Sequence, residues 1–147
     1  MIAPNRQALS LLEHLVETCR DGEQELRRAA TKLPDNGFRA LCDAYAGQYA
    51  TFAAELELEI GRLGGRARAP RRNDLEQPGW IHLAHKGTGE DASCIETECE
   101  LGESASLRSY EEVLAHELPA EVRSMLERQY AELKRAHERA RAYTGGV

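Results

Sequence analysis

Aromatic residues are scarce in this 147-residue chain: one tryptophan, two phenylalanines and five tyrosines, 5% of the total. Positive charge is outweighed as well, with 19 Lys and Arg against 25 Asp and Glu and a formal net charge of -6. Together these exclude a general nucleic-acid or anionic-membrane surface, which needs a basic face and stacking side chains. No apolar run approaches the roughly 20 residues needed to cross a bilayer. Pro4, Asn5, Arg6 and Gln7 interrupt the N-terminal segment, so it does not read as a signal peptide, and the expected localisation is cytoplasmic. Cys19, Cys42, Cys94 and Cys99 form no C-x-x-C pair. That argues against a zinc ribbon or a redox dithiol, and the four read as small core residues in a reducing compartment. No stretch alternates apolar and polar residues for long enough to make a strand, so there is no strand-borne phosphate loop. No G-x-S-x-G elbow is present either.

What remains is helix. The chain is 41% hydrophobic and 30% charged, a balance typical of a globular protein, and its length fits a single domain over 1–147. From about Asn5 to Leu33, apolar residues recur every third or fourth position: Leu9, Leu12, Val16, Cys19, Leu26, Ala30 and Leu33. This is an amphipathic helix, ended by the turn residues Pro34-Asp35-Asn36-Gly37. A second helix spans about Phe38–Leu63 and stops at Gly64-Gly65. A third spans about Asp91–His116, and after Leu118-Pro119 a fourth runs from about Ala120 to Tyr143. Short loops at 34–37 and 117–119 make two antiparallel hairpins. The Arg-, Pro- and Gly-rich segment of about 64–90 is long enough to cross a bundle, and Trp80 to Ala84 within it suit a short helix. The expected fold class is all-α: a ferritin-like four-helix bundle of two hairpins joined by a long, partly helical crossover.

Polar side chains interrupt each stripe. Glu23 lies between Cys19 and Leu26, Gln48 between Tyr45 and Phe52, Glu103 between Cys99 and Leu107, and Gln129 between Leu126 and Leu133. Counting residues back from each hairpin turn, near 35 and near 118, puts all four at similar depth. Glu23, Gln48, Glu103 and Gln129 are therefore the candidate core polar site. Two carboxylates in an apolar interior need a metal ion, a shared proton or amide donors. Tyr110 and Tyr130 are candidate hydrogen-bond partners for them. Glu55 and His137 lie on the same faces and, with Glu23 and Glu103, complete the candidate metal ligands for one divalent ion: iron, manganese or zinc. A Cys42–Cys99–His137 cluster is a weaker metal candidate, because its spacings match no metal motif.

Glu17-Thr18-Cys19-Arg20-Asp21-Gly22, Leu63-Gly64-Gly65, Gly79-Trp80-Ile81, Glu98-Cys99-Glu100-Leu101-Gly102-Glu103 and Glu127-Arg128-Gln129-Tyr130 followed by His137 resemble a bacterial family of ferritin-like four-helix-bundle proteins catalogued as a domain of unknown function. The resemblance covers the whole chain and implies the fold. It implies little about activity, because a fold does not carry a function.

Di-iron bundles supply a lone Glu from two helices and Glu-x-x-His from the other two. Glu23 and Glu103 match the lone carboxylates, but the second and fourth helices carry no Glu-x-x-His. Two carboxylates and two neutral amides suit one divalent ion at best, and Gln is a poor iron ligand. The leading expectation is a non-catalytic protein with a polar or degenerate metal site. Against it stand a metal-dependent redox or iron-handling protein using the same site, and an interaction module acting through the crossover near Trp80 and the basic run Arg66, Arg68, Arg71 and Arg72. The acidic charge argues for neither nucleic acid nor membrane as partner, and a homodimer is compatible with the size.

Overall fold

The computed structural model describes the backbone of residues 2–65 and 92–145, and the side chains of 6–65, 99 and 101–142. Trp80, the basic run from Arg66 to Arg72, His82, His85 and the expected crossover helix lie outside the described residues, as does the Cys94 side chain. Four helices account for the fold: α1, Ile2–Lys32; α2, Asn36–Arg62; α3, Ala92–Leu114; and α4, Ala120–Gly145. Each lies within a few residues of its expected span. Among the described residues, no helix is long and apolar enough to cross a membrane.

The ends of the helices follow from local chemistry. Asp35 caps α2, its carboxylate accepting the Phe38 backbone N–H at 2.7 Å and satisfying one of the donors that a helix start leaves free. At the other end Gly64 takes φ +90°, a left-handed conformation that glycine adopts without steric cost. It turns the chain so that the Gly65 N–H reaches the Ile60 carbonyl at 2.9 Å. Between the third and fourth helices, the Arg123 guanidinium donates to the carbonyls of Leu114 and His116 at 3.0 and 2.6 Å. It thereby covers the exposed C-terminal acceptors of α3.

α1 packs against α2 and α3, and α4 packs against α3 and α2. Arg62 near the end of α2 meets Glu121 near the start of α4, and Glu55 meets Arg128, so α2 and α4 are antiparallel. Because α3 and α4 are also antiparallel, α2 and α3 run the same way, as two hairpins joined end to opposite end require. The core is one cluster built around Leu12, Leu15, Cys19, Leu26, Tyr49, Leu56, Ile60, Tyr110, Val122 and Leu126. Cys19, Cys42 and Cys99 are buried free thiols, in line with the reading as core residues. His14 is half-buried. Burial holds its pKa below the usual value, against the opposing pull of Glu112 and Glu17.

The inward stripe of α1 does not run through Glu23. It runs Cys19, Gly22, Leu26, with Gly22 buried. The fully enclosed Tyr49 ring lies flat against that glycine: a Cβ added to Gly22 would sit 2.9–3.0 Å from three ring atoms. The Gly22→Ala variant should therefore lose stability. Overpacking costs about 1–3 kcal/mol, and the helix-propensity gain of alanine, about 1 kcal/mol, offsets only part of it. Urea denaturation followed by circular dichroism measures this, and a variant as stable as wild type would show that the Tyr49 contact is soft.

Candidate functional site

The described polar core falls into two layers. The first is a chain of hydrogen bonds touching all four helices. From α3, the Tyr110 hydroxyl donates to Gln129 Oε1 at 2.7 Å. From α4, Gln129 Nε2 donates to Glu55 Oε1 of α2 at 2.8 Å. Arg128 closes this end, its guanidinium donating to the same Glu55 oxygen at 2.9 Å. At the other end Cys19 of α1 lies 3.4 Å from the Tyr110 oxygen. The directions are fixed by counting protons. An ionised Glu55 only accepts, so the Gln129 amide nitrogen faces it and the amide oxygen faces Tyr110. Tyr110 has one proton and gives it to Gln129, so the Cys19 S–H is the donor in the remaining contact.

The layer is graded in charge. Tyr110, Gln129 and Cys19 are wholly enclosed, and all three are neutral. Burial raises the Tyr110 pKa well above its usual value and pushes the Cys19 thiol up to about 12, against smaller opposing effects of Tyr110 and Arg20 on the thiol. The charged members, Glu55 and Arg128, sit at the rim with side chains 34% and 47% exposed. Partial burial pushes the Glu55 carboxyl up. Hydrogen bonds from Gln129 and Arg128, together with the Arg128 charge, outweigh it and hold the carboxyl below its ordinary range.

The second layer lies toward the other end of the bundle. Glu103 of α3 and His137 of α4 meet through Oε1 and Nδ1 at 3.2 Å, their side chains only 10% and 11% exposed. Tyr49 is nearby and hydrogen-bonds Ser106, its pKa raised well above normal chiefly by burial and further by Glu103.

Of the candidate residues, Gln129 and Glu55 come together, and so do Glu103 and His137, but the four expected core groups do not form one site. Glu23 is directed toward Arg27 at 3.2 Å and Arg20 at 3.9 Å in a solvent-screened cluster, because Gly22 holds the inward position. Gln48 is half-buried beside Tyr49, which holds the core position expected for it, and its Oε1 is enclosed without a hydrogen-bond partner. In the second hairpin, Tyr110–Gln129, Glu111–Tyr130 and Glu103–His137 all face each other. They place the pivot near residue 120 rather than 118, which moves the partner of Glu103 one turn along, to His137. Tyr130 bonds Glu111 at the surface instead of a core carboxylate. Arg128 is the contributor that the apolar stripe could not reveal, since it lies outside that stripe. Its adjacency to Gln129 was the available signal.

The fold type raises the question of a di-metal centre, and the donor set does not fit one. The α1 carboxylate Glu23 faces arginines, the α4 position is the neutral Gln129, and Glu55 is held by Gln129 and Arg128. Among the described residues, no three His, Cys, Asp or Glu side chains converge as metal ligands would. Cys42, Cys99 and His137 likewise do not form such a group.

Two predictions follow from the first layer. Gln129→Leu leaves the buried Tyr110 hydroxyl without an acceptor and should cost about 1–3 kcal/mol. Adding Tyr110→Phe should recover part of the loss, so that chemical denaturation shows non-additive effects. The second concerns pH. The folded Glu55 carboxyl is more acidic than in the unfolded chain, so the unfolded state takes up its proton first as pH falls. Its stabilisation is therefore present above the unfolded pKa of about 4.3 and is lost as pH drops through the lower folded value. Denaturation midpoints at pH 7 and pH 3 should fall less in Glu55→Gln than in wild type. Equal falls would remove Glu55 from the acid response.

No curated protein matches the chain. Among solved structures, a mutant of Mycobacterium smegmatis Dps1 superposes with a TM-score of 0.84 at 13% identity, over 96% of this chain and 97% of that one. At that identity the likeness shows the fold alone, and the fold is ferritin-like. A family model matches residues 7–116, three helices with the Gly22–Tyr49 contact and both α3 members of the polar layers. The chain belongs to the family described as Domain of unknown function (DUF2383).

Proposed function

We propose that this protein is a non-catalytic, cytoplasmic member of the ferritin-like architecture, in which a hydrogen-bonded polar layer occupies the depth that metal-binding relatives of this architecture give to a metal centre. The carrying observation is the Cys19–Tyr110–Gln129–Glu55 chain, with one contributor from each helix. It has a proton for every contact and leaves no anion at its centre. Such a layer sets helix register: sliding any helix by one turn breaks a buried hydrogen bond, at a cost of about 1–3 kcal/mol per orphaned group. It offers no open coordination position and no nucleophile, since the Cys19 thiol stays protonated.

A second reading, a degenerate mononuclear site, is favoured by one observation. Glu103 and His137 are the one carboxylate–imidazole contact among the described residues, and a carboxylate oxygen beside an imidazole nitrogen is a donor pair suited to zinc, iron or manganese. Glu55, bound to Arg128, is a poorer ligand.

Metal analysis separates the two. Untagged, chelator-free protein is equilibrated in turn with ferrous iron, manganese and zinc, desalted, and measured by mass spectrometry. The non-catalytic reading expects well under one ion per chain for all three. Near-stoichiometric metal that is lost in both Glu103→Ala and His137→Ala would replace it with the mononuclear reading.

A further inference from the structure

We propose that the outer face of α1 is the docking surface for this chain's own basic run, Arg66, Arg68, Arg71 and Arg72, whose guanidinium groups pair with Glu13, Glu17 and Asp21. The starting point is a burial that the four helices do not account for. The inward stripe of α1 runs through Leu12, Leu15, Cys19, Gly22 and Leu26, and 3.6 residues per turn put Glu17 on the opposite side of the helix. Yet Glu17 is 7% exposed and Asp21 3%, and Glu13 is half-buried. Ser10 and Gln24 stand seven residues before and after Glu17, within about 20° of the same line along the helix, and both are exposed. The cover is therefore local to the middle of α1. Of the described helices, α2 and α3 pack against α1. They meet its inner flanks, as the Gly22–Tyr49 and Cys19–Tyr110 contacts show.

The chemistry of the face says what covers it. A carboxylate shut away from water is costly unless a cation or other donors meet it, and Glu13, Glu17 and Asp21 each engage a partner. The arginines of α1 bond other acids: Arg20 to Glu57 at 2.8 Å, Arg27 to Glu23 at 3.2 Å and Arg28 to Glu25 at 3.0 Å. Arg108 of α3 is exposed. The basic run offers four guanidinium groups within residues 66–72, and its sign matches.

The chain on either side of the run brings it to this face. Leu9, Glu13, Glu17 and Asp21 are four residues apart, so each step climbs about 6 Å and rotates about 40° around α1. The row thus winds from the α2 side across the outer face toward α3. Its first member touches the start of the crossover: a Cβ added to Gly65, the residue before Arg66, would sit 2.6 Å from Leu9 Cδ2. Because α1 and α3 are antiparallel, α3 begins near the far end of α1. A path from Gly65 to Ala92 along α1 then passes Glu13, Glu17 and Asp21 in that order. Gly65 to Arg72 reaches up to about 25 Å when extended, and Leu9 to Asp21 is about 18 Å of helix, so the run is long enough to meet all three acids.

Zero-length carbodiimide coupling tests the pairing on the full chain, since it joins an ammonium only to a carboxylate in contact with it. Arg68→Lys and Arg72→Lys keep the positive charge. Peptide mapping after coupling should join position 68 to Glu13 or Glu17, and position 72 to Glu17 or Asp21. No coupling, or coupling of both positions to acids of the other helices, would overturn the proposal. Trypsin gives a second readout. Native-state cleavage follows the population of the released segment, so cleavage after residues 66–72 should be about tenfold faster in the double variant Glu17→Gln, Asp21→Asn than in wild type. Cleavage after Arg141 serves as the reference, and circular dichroism checks that the helices are intact. Equal rates in a folded double variant would also overturn the proposal. If that variant does not fold, the coupling result decides alone.

Discussion

The bond from Tyr110 to Gln129 is the constraint around which the bundle is organised. Both side chains are wholly enclosed, so neither has water as an alternative partner, and each needs the other in place. That requirement reaches outward in two directions. Gln129 must turn its amide nitrogen toward Glu55, which fixes α4 against α2. Tyr110 must present its oxygen toward Cys19, which fixes α3 against α1. An apolar core of leucine and alanine tolerates sliding of one helix past another, because one methyl contact resembles the next. A directed chain of unlike donors and acceptors does not. The polar layer is thus the part of the core that distinguishes one register from its neighbours, and the leucine, alanine and valine layers around it supply most of the burial.

Much of the architecture was legible because it rests on periodicity. Three- and four-residue spacing gave four helices, and short turns at 34–37 and 117–119 gave two hairpins. The site was less legible, and the reason is angular. Adjacent residues on a helix point 100° apart, so one wrong choice within a stripe turns a core position into a surface one. The spacing favours Glu23 over Gly22, the inward residue, because glycine contributes nothing to a hydrophobic pattern even when a tyrosine ring lies on it. Gln48 and the adjacent Tyr49 both fit the same spacing, and the neighbouring helix accepts Tyr49. Glu103 and Gln129 were correctly placed inside, but their partners were not identified. The pivot of the second hairpin lies near 120, and a shift of two residues at a turn moves the facing partner by one full helical turn.

The two polar layers differ in what they ask of their surroundings. In the Tyr110 layer the charged groups are at the rim, where water and Arg128 share the cost of the Glu55 charge. In the Glu103 layer the carboxylate is nearly enclosed and lies beside an imidazole. The Glu103–His137 contact joins α3 to α4 next to Tyr49, the same residue that seals Gly22. The Gly22–Tyr49 contact within the first hairpin is thereby continuous with the layer that joins the second.

A layer of neutral polar groups and a metal centre differ in their electrostatics. A di-metal site concentrates anions at the centre, and the fold then depends on cations to neutralise them. Here the centre is a phenol, a thiol and a primary amide, which need no counter-charge. The helix α2 supplies Glu55 to the first layer and Tyr49 to the interior. The inner and outer faces of α2 have different demands: Tyr45, Tyr49 and Phe52 fill the inner one, whereas the exposed Ala44, Thr51 and Ala54 are small. A single helix satisfying both is restricted at nearly every position, which accounts for a sequence there of alternating aromatic and small residues, Ala44-Tyr45-Ala46-Gly47-Gln48-Tyr49-Ala50-Thr51-Phe52.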